Sequence, residues 1–363
     1  MNPRRSVTIR SGFTLMELLV VIMVIGILAS SLLFAMYNAV QQAKEARTKA
    51  QIAKLHELLM TRWDSYRTRA IRVQGLQSAA RRNARTVATA RLLALRELMR
   101  LELPDRKEDV LDPIAEPARG VTFLVYGGDD VYIPRPACNR EYVRRVANLV
   151  QPANLTAGAA KWTEVYQDAE CLYMIIASMQ DIAGNGLDFL HEGEVGDLDE
   201  DGMPEILDSW GKPIAFIRWA PGFVEHPGPD FTFQTADDIP SYSNLQIVDP
   251  EGSPDPFDPL RIDKRAPVTM DSSGTAEYQF NFALYPLVFS GGPDELLDIV
   301  RFDYDDTTDP PTQVAFNFFR SGGGVVNDPY AILPTSGRRL GMPFLNSDGY
   351  KDNITNHGLG EGE

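Results

Sequence analysis

The sequence predicts an α+β chain: a long N-terminal helix, additional helices, then a small antiparallel β-sheet head with acidic loops. Three observations predict it. Residues Phe13–Tyr37 are apolar apart from one charge, Glu17. From Asn38 to Arg100 there is no Pro and a single Gly, Gly75, with apolar residues recurring at spacings of three and four. After Gly184, turn residues, acids and short β-prone runs dominate.

The first element is long enough to cross a bilayer. At ~1.5 Å per residue, about 25 residues give roughly 37 Å of helix against a hydrocarbon core of about 30 Å. Arg4, Arg5 and Arg10 precede it without an acid, so the N-terminus is expected to be cytoplasmic. A secretory signal would have a shorter apolar region with a small-residue cleavage site after it. Here the small residue, Gly12, comes before the run. A carboxylate inside a bilayer is costly and marks function, which singles out Glu17.

The helix continues past the apolar run. Ile52, Leu55, Leu59, Trp63 and Tyr66 form a stripe that packs on a domain. Val40, Ala43, Ala46, Ala50 and Ala53 form a narrower small-residue seam. This helix is expected to end near Arg69–Gln74, with Gly75 as a break, and a second to run from Ser78 to Leu103. The second carries Arg81, Arg82, Arg85, Arg91, Arg96 and Arg100. A basic face can hold phosphates, but little aromatic residue is interleaved. The reading is a solvated face or one that meets an acidic head, and no nucleic acid partner is expected.

Charge supports that reading. Residues 1–100 hold 17 Lys+Arg against 5 Asp+Glu, and residues 101–363 hold 18 against 45. A strongly acidic head disfavours nucleic acid and favours divalent cations. Leu103–Pro117 reads as a polar linker, Val121–Tyr126 as a strand, and Glu141–Leu149 and Lys161–Ile182 as helices. Ile214–Trp219, Glu277–Phe289 and Gln313–Phe319 are the strand candidates of the head, and Asn346–Glu363 reads as a flexible tail.

The strongest chemical signal in the head is Asp197–Asp208, D-L-D-E-D-G-M-P-E-I-L-D. Asp197, Asp199 and Asp201 fall at alternate positions, Gly202 follows, and Glu205 and Asp208 come later. That is the register of a Ca²⁺ loop: alternate carboxylates converge on one hard cation, and Gly allows the turn that brings the Met203 carbonyl in. Asp208 is shorter than the usual closing Glu, and Pro204 removes an N–H used for pairing with a second loop.

The stretch Gly12-Phe13-Thr14-Leu15-Met16-Glu17-Leu18-Leu19-Val20-Val21 closely resembles the N-terminal signal of type IV pilins and type II secretion pseudopilins. The resemblance implies cleavage between Gly12 and Phe13 by a prepilin peptidase, and N-methylation of Phe13. It implies that Glu17 pairs with the terminal amine of a neighbouring subunit. The helix-melting Pro of many pilins is missing from Ile27–Ala35.

The head adds to the resemblance. Asp208-Ser209-Trp210-Gly211-Lys212-Pro213 is similar to the D-P-W-G-N-P turn of the major pseudopilin. Gly228-Pro229-Asp230, leading to Asp237 and Asp238, resembles its calcium-holding β-loop, with Phe231 and Gln234 in place of two glycines. Ser290-Gly291-Gly292-Pro293-Asp294 resembles its S-x-G-x-D ligand run, with Leu287 where the family has an acid. Asp230, Asp237, Asp238, Ser290 and Asp294 are thus further metal candidates by resemblance.

The resulting organisation is a leader at 1–12, a transmembrane and filament-core helix at 13–37, a helical stem at 38–103, a mixed helical insertion at 104–190, a pilin-like β head at 191–345 and a tail at 346–363. The expected function is structural: a pseudopilin of the bacterial inner membrane, single-pass with a periplasmic head, assembling with like subunits and a secretion machinery. The alternative is a minor type IV pilin with an adhesive or DNA-uptake role. The sequence has no G-x-S-x-G, Walker loop or H-E-x-x-H, so no enzyme is expected. Cys138 and Cys171 are consistent with a disulfide or with two buried thiols.

Overall fold

The computed structural model describes residues 15–76, 83–111, 121–125, 129–181, 184–223, 255–262, 268–270, 276–278, 283–302, 304–305, 312–313, 329–330, 333, 339–344 and 349–357. The helices are α1 (Leu15–Thr68), α2 (Ala84–Glu102), α3 (Lys107–Leu111), α4 (Ala137–Ala147), α5 (Leu155–Lys161) and α6 (Gln167–Ser178). The strands before the acidic turn are β1 (Val121–Val125), β2 (Asp129–Ile133), β3 (Gln180–Asp181), β4 (Gly184–Asn185), β5 (Val195–Gly196) and β6 (Glu205–Ile206). Later come β7 (Ala215–Ile217), β8 (Val268–Met270), β9 (Ala276–Tyr278), β10 (Leu287–Ser290), β11 (Tyr304–Asp305), β12 (Thr312–Gln313) and β13 (Ile354–Thr355). The architecture is α+β with small antiparallel sheets.

The chain divides into two compact units, Met1–Ala46 and Arg47–Glu363. The first is described by the apolar part of α1. Leu15–Val40 is exposed throughout, and an 18-residue window of this helix has a mean hydropathy of 2.9. It is long and apolar enough to cross a membrane and fits a single-pass anchor. The boundary between the units falls inside the stem, and residues 47–103 of the stem, the insertion and the head belong to the second unit.

The second unit is built on the amphipathic half of α1. Ile52, Leu55, Leu59, Trp63 and Tyr66 are almost wholly buried, as their spacing of three and four predicts. They share one core with Leu95, Met99, Leu172, Ile175, Ile176, Phe216 and Val288. The largest sheet has the order β13-β10-β7, all antiparallel, with Leu287 opposite Ile217 and Ser290 opposite Ile354. Alternation along these strands sends Phe216 and Val288 to the α1 core. Ala215, Ile217, Leu287 and Phe289 go to a second core with Ile299, Val300 and Leu333. A third core, Val110, Tyr142, Val146, Trp162, Cys171, Met174 and Met203, lies under the acidic loop.

Several elements differ from expectation. α1 ends at Thr68, and the chain then runs extended: Gln74 exchanges two 3.0 Å backbone hydrogen bonds with Tyr132, and Gly75 takes φ +90°. α2 starts at Ala84, where the Asn83 side chain accepts from the amides of Arg85 and Thr86. The helix expected over Lys161–Ile182 is split, because Trp162 and Thr163 leave the helical path to meet the acidic loop. β7 is shorter than the Ile214–Trp219 run that announced it, and 279–282 and 314–319 of the other two runs lie outside the described residues.

The tail is corrected as well. Residues 346–363 read as polar and flexible, yet Ile354–Thr355 forms β13 on β10. Asn356 accepts from the Val288 amide at 2.8 Å and donates to the Pro286 carbonyl at 2.9 Å. Ile354 supplies the apolar anchor.

The Arg-rich helix is largely not a solvated face. Residues Leu92–Glu102 are all buried. Arg96 pairs with Asp255 at 3.0 Å, and Arg100 with Glu97 at 2.6 Å and Asp109 at 3.3 Å. Arg85 and Arg91 are exposed, while Arg81 and Arg82 lie outside the described residues. Burying a guanidinium is tolerable because carboxylates from the acidic segments meet it.

Candidate functional site

The acidic loop is the turn of the β5–β6 hairpin, in which Val195 opposes Ile206 and Gly196 opposes Glu205. A loop this rich in acids can turn back tightly because Gly202 takes φ +97° and Glu200 takes φ +59°. Backbone amides stabilise the turn. Gly202 N donates to Asp197 Oδ2 at 2.9 Å, and Met203 N to Asp201 Oδ1 at 2.8 Å. The Met203 side chain is fully buried in the third core and pins the loop to the domain.

The segment between α5 and α6 closes over the loop. Thr163 N donates to Asp201 Oδ2 at 2.6 Å, and the Thr163 hydroxyl donates to Asp199 Oδ2. α6 supplies a further acid in its first turn, Glu170, which is fully buried. The Trp162 indole N–H donates to Glu170 Oε2. Glu205, also fully buried, accepts from Leu198 N at 3.1 Å through Oε2.

Two groups of carboxylates result. Asp197, Asp199 and Asp201 each bring an oxygen within 4.8 Å of the others, and so do Glu170, Asp199 and Glu205. Such crowding in a buried site opposes ionisation. Burial, with Asp201, Asp199 and Glu205 nearby, pushes the Glu170 carboxyl up to about 9 against the pull of the Trp162 hydrogen bond. Burial likewise raises Glu205 to about 7 and raises Asp201.

Asp208 does not join the loop acids. Its Oδ1 accepts from Trp210 N at 2.8 Å and Lys212 N at 2.9 Å, and its Oδ2 accepts from the Ser290 hydroxyl at 2.6 Å. Oδ1 is thus committed to the Asp208–Pro213 turn, in which Gly211 takes φ +81°, and Oδ2 to Ser290. The bond to Ser290 joins the Trp-Gly-Lys-Pro turn to the Ser290–Asp294 run across the β7–β10 sheet. Ser290 is fully buried, whereas Asp294 is exposed and faces Asp298 across Gly349. The Ser290 hydroxyl is engaged by Asp208 Oδ2 and the Gly292 amide, and the Leu296 amide donates to Asp294 Oδ1 at 2.9 Å. Asp230, Asp237 and Asp238 lie outside the described residues, as do Gly12 and Phe13.

Cys138 and Cys171 are both free. The disulfide left open by the sequence is not formed: Cys171 is sealed in the third core, and burial pushes both thiols up. Glu170 is the residue that sequence reasoning missed. Its signal was weak, an acid in the first turn of a helix where acids are common.

Residues 9–33 match the family model described as the prokaryotic N-terminal methylation motif. The chain carries a prepilin-type N-terminus. With the long apolar helix, this supports a type IV pilin-like protein that is processed as a prepilin and whose role is structural. It also implies a prepilin peptidase and pilin-like subunits as partners. No curated protein and no solved structure matches the chain.

Proposed function

We propose that this prepilin-type protein is a pseudopilin, a subunit of a short periplasmic filament in a type II secretion-like system. The basic leader stays in the cytoplasm and the head enters the periplasm. Cleavage between Gly12 and Phe13 frees an amine that is then methylated. Glu17 pairs with the terminal amine of a neighbouring helix, an ion pair that offsets the cost of a carboxylate within the membrane. Subunits stack through α1, with the exposed seam of Ala43, Ala46, Ala50 and Ala53 allowing close approach of helices. The force for extraction comes from a cytoplasmic ATPase, since the chain has no nucleotide motif of its own.

The observation that carries the pseudopilin branch is the Asp208-centred turn, tied to Ser290 at 2.6 Å. It links two segments that each resemble the major pseudopilin and that a purely adhesive head does not require. Deletion in the source organism tests the reading. Loss of protein secretion with adhesion and DNA uptake intact supports it. Normal secretion with loss of adhesion or uptake favours the minor pilin instead.

A further inference from the structure

The carboxylates at the acidic loop do not all have the same unmet need. Asp201 has both oxygens bonded, one to the Thr163 amide and one to the Met203 amide. Asp208 also has both oxygens bonded, one within its own turn and one to the Ser290 hydroxyl. Glu170, Asp199 and Glu205 form a different pattern. Each has one oxygen held by a protein donor: Trp162 for Glu170, Thr163 for Asp199, Leu198 for Glu205. Each has a second oxygen that is buried with no hydrogen-bond partner: Glu170 Oε1, Asp199 Oδ1 and Glu205 Oε1. Buried acceptors are almost always satisfied, so three of them in one group call for a common partner.

The chemistry of that partner follows from the donors. All three are carboxylates, and each contributes an oxygen within 4.8 Å of the others. Asp197 and Asp201 add negative charge at the outer side through the shared Asp199. Lys161 Nζ lies beside Gly202, next to the outer acids Asp197 and Asp201. An oxygen-only, strongly anionic seat on a loop of this register suits a hard divalent cation of calcium size.

We propose that Glu170, Asp199 and Glu205 hold a Ca²⁺ ion that staples α6 to the β5–β6 hairpin. The seat is the inner group, not the outer face of the loop, and Asp208 takes no part. Trp162, bonded to Glu170, lies next to the ion. This inference is independent of the pilin reading, because it rests on side chains of the second unit alone.

The test uses the full chain in detergent, with Ca²⁺ and Tb³⁺ as probes. Titration calorimetry detects Ca²⁺ binding to the wild type. Bound Tb³⁺ luminesces on tryptophan excitation, and Trp162→Phe removes most of that signal while Ca²⁺ binding persists. Glu170→Gln and Glu205→Gln each weaken Ca²⁺ at least about tenfold, and Asp208→Asn leaves affinity unchanged. Glu170→Gln keeps the side-chain shape and an oxygen for the Trp162 indole, so circular dichroism of this variant in EDTA matches the wild type. The proposal is overturned by no Ca²⁺ binding to the wild type, by unchanged affinity in both Gln variants, or by Asp208→Asn losing as much as Glu170→Gln.

Discussion

Arg218 Nη1 donates to Asp109 Oδ2 at 2.8 Å, and neither side chain is more than 1% exposed. The same guanidinium reaches Asp105 at 3.4 Å, and Asp109 also meets Arg100. Burial alone would raise the Asp105 carboxyl, but Arg218 and Arg106 hold it well below its usual range. Asp109 is raised, because burial and the nearby Asp105 outweigh its arginines. The network joins β7 to the α2–α3 junction. Arg218→Ala takes a shared partner from two buried carboxylates, leaving Asp109 to Arg100 and Asp105 to Arg106, and should cost about 3–5 kcal/mol. Urea unfolding of the full chain measures it. Arg218→Lys recovers little, since an ammonium cannot reproduce the guanidinium fork.

Gly158 marks where α5 approaches α4. A Cβ there would lie 2.0 Å from the Val146 carbonyl oxygen, which is backbone and cannot step aside cheaply. Gly158→Ala should destabilise by about 1–3 kcal/mol. Gly193→Ala meets nothing within 4 Å and serves as a control, with a change below about 0.5 kcal/mol. Paired melting curves decide it.

The docked tail should be acid-sensitive. His357 donates from Nε2 to the Pro286 carbonyl at 3.0 Å, and Asn356 Nδ2 donates to His56 Nδ1 at 2.8 Å. Burial lowers both imidazoles, His357 to about 4. The folded state therefore resists protonation that the unfolded chain accepts near 6.5. This contribution is full above pH 6.5 and is lost as pH falls toward 4, at most about 1.4 kcal/mol per pH unit and roughly 1–3 kcal/mol in all. Stability measured from pH 7.5 to 4.5 shows the slope, and His357→Gln flattens it.

Glu17 should separate processing from assembly. Glu17→Ala leaves cleavage after Gly12 intact and the protein in the membrane, yet the subunit fails to enter filaments. Immunoblots of membrane and sheared fractions read both steps. Normal filament entry by Glu17→Ala removes the pairing role.

Local, periodic features were legible in the sequence. The stripe from Ile52 to Tyr66 needed only helical spacing, and the whole of it is buried. The anchor needed only length and hydropathy. What escaped depends on partners distant in the chain. Asp208 sits at the closing position of a calcium loop, and nothing local reveals that Ser290 and two amides claim it. Glu170 precedes the loop by a whole helix, yet it lies against Asp199 and Glu205. For the Arg-rich helix the sequence left open a solvated face or one that meets acidic segments, and only the fold shows that Asp255 and Asp109 meet Arg96 and Arg100. The tail looked free because polar composition cannot show that Ile354 and Asn356 complete a sheet.

The intact mass of the mature protein, purified from membranes of a host with its prepilin peptidase, tests the central claim most directly. The account predicts a chain beginning at a methylated Phe13, with Met1–Gly12 removed. A chain that retains Met1–Gly12, or one cut after the apolar helix, would contradict it.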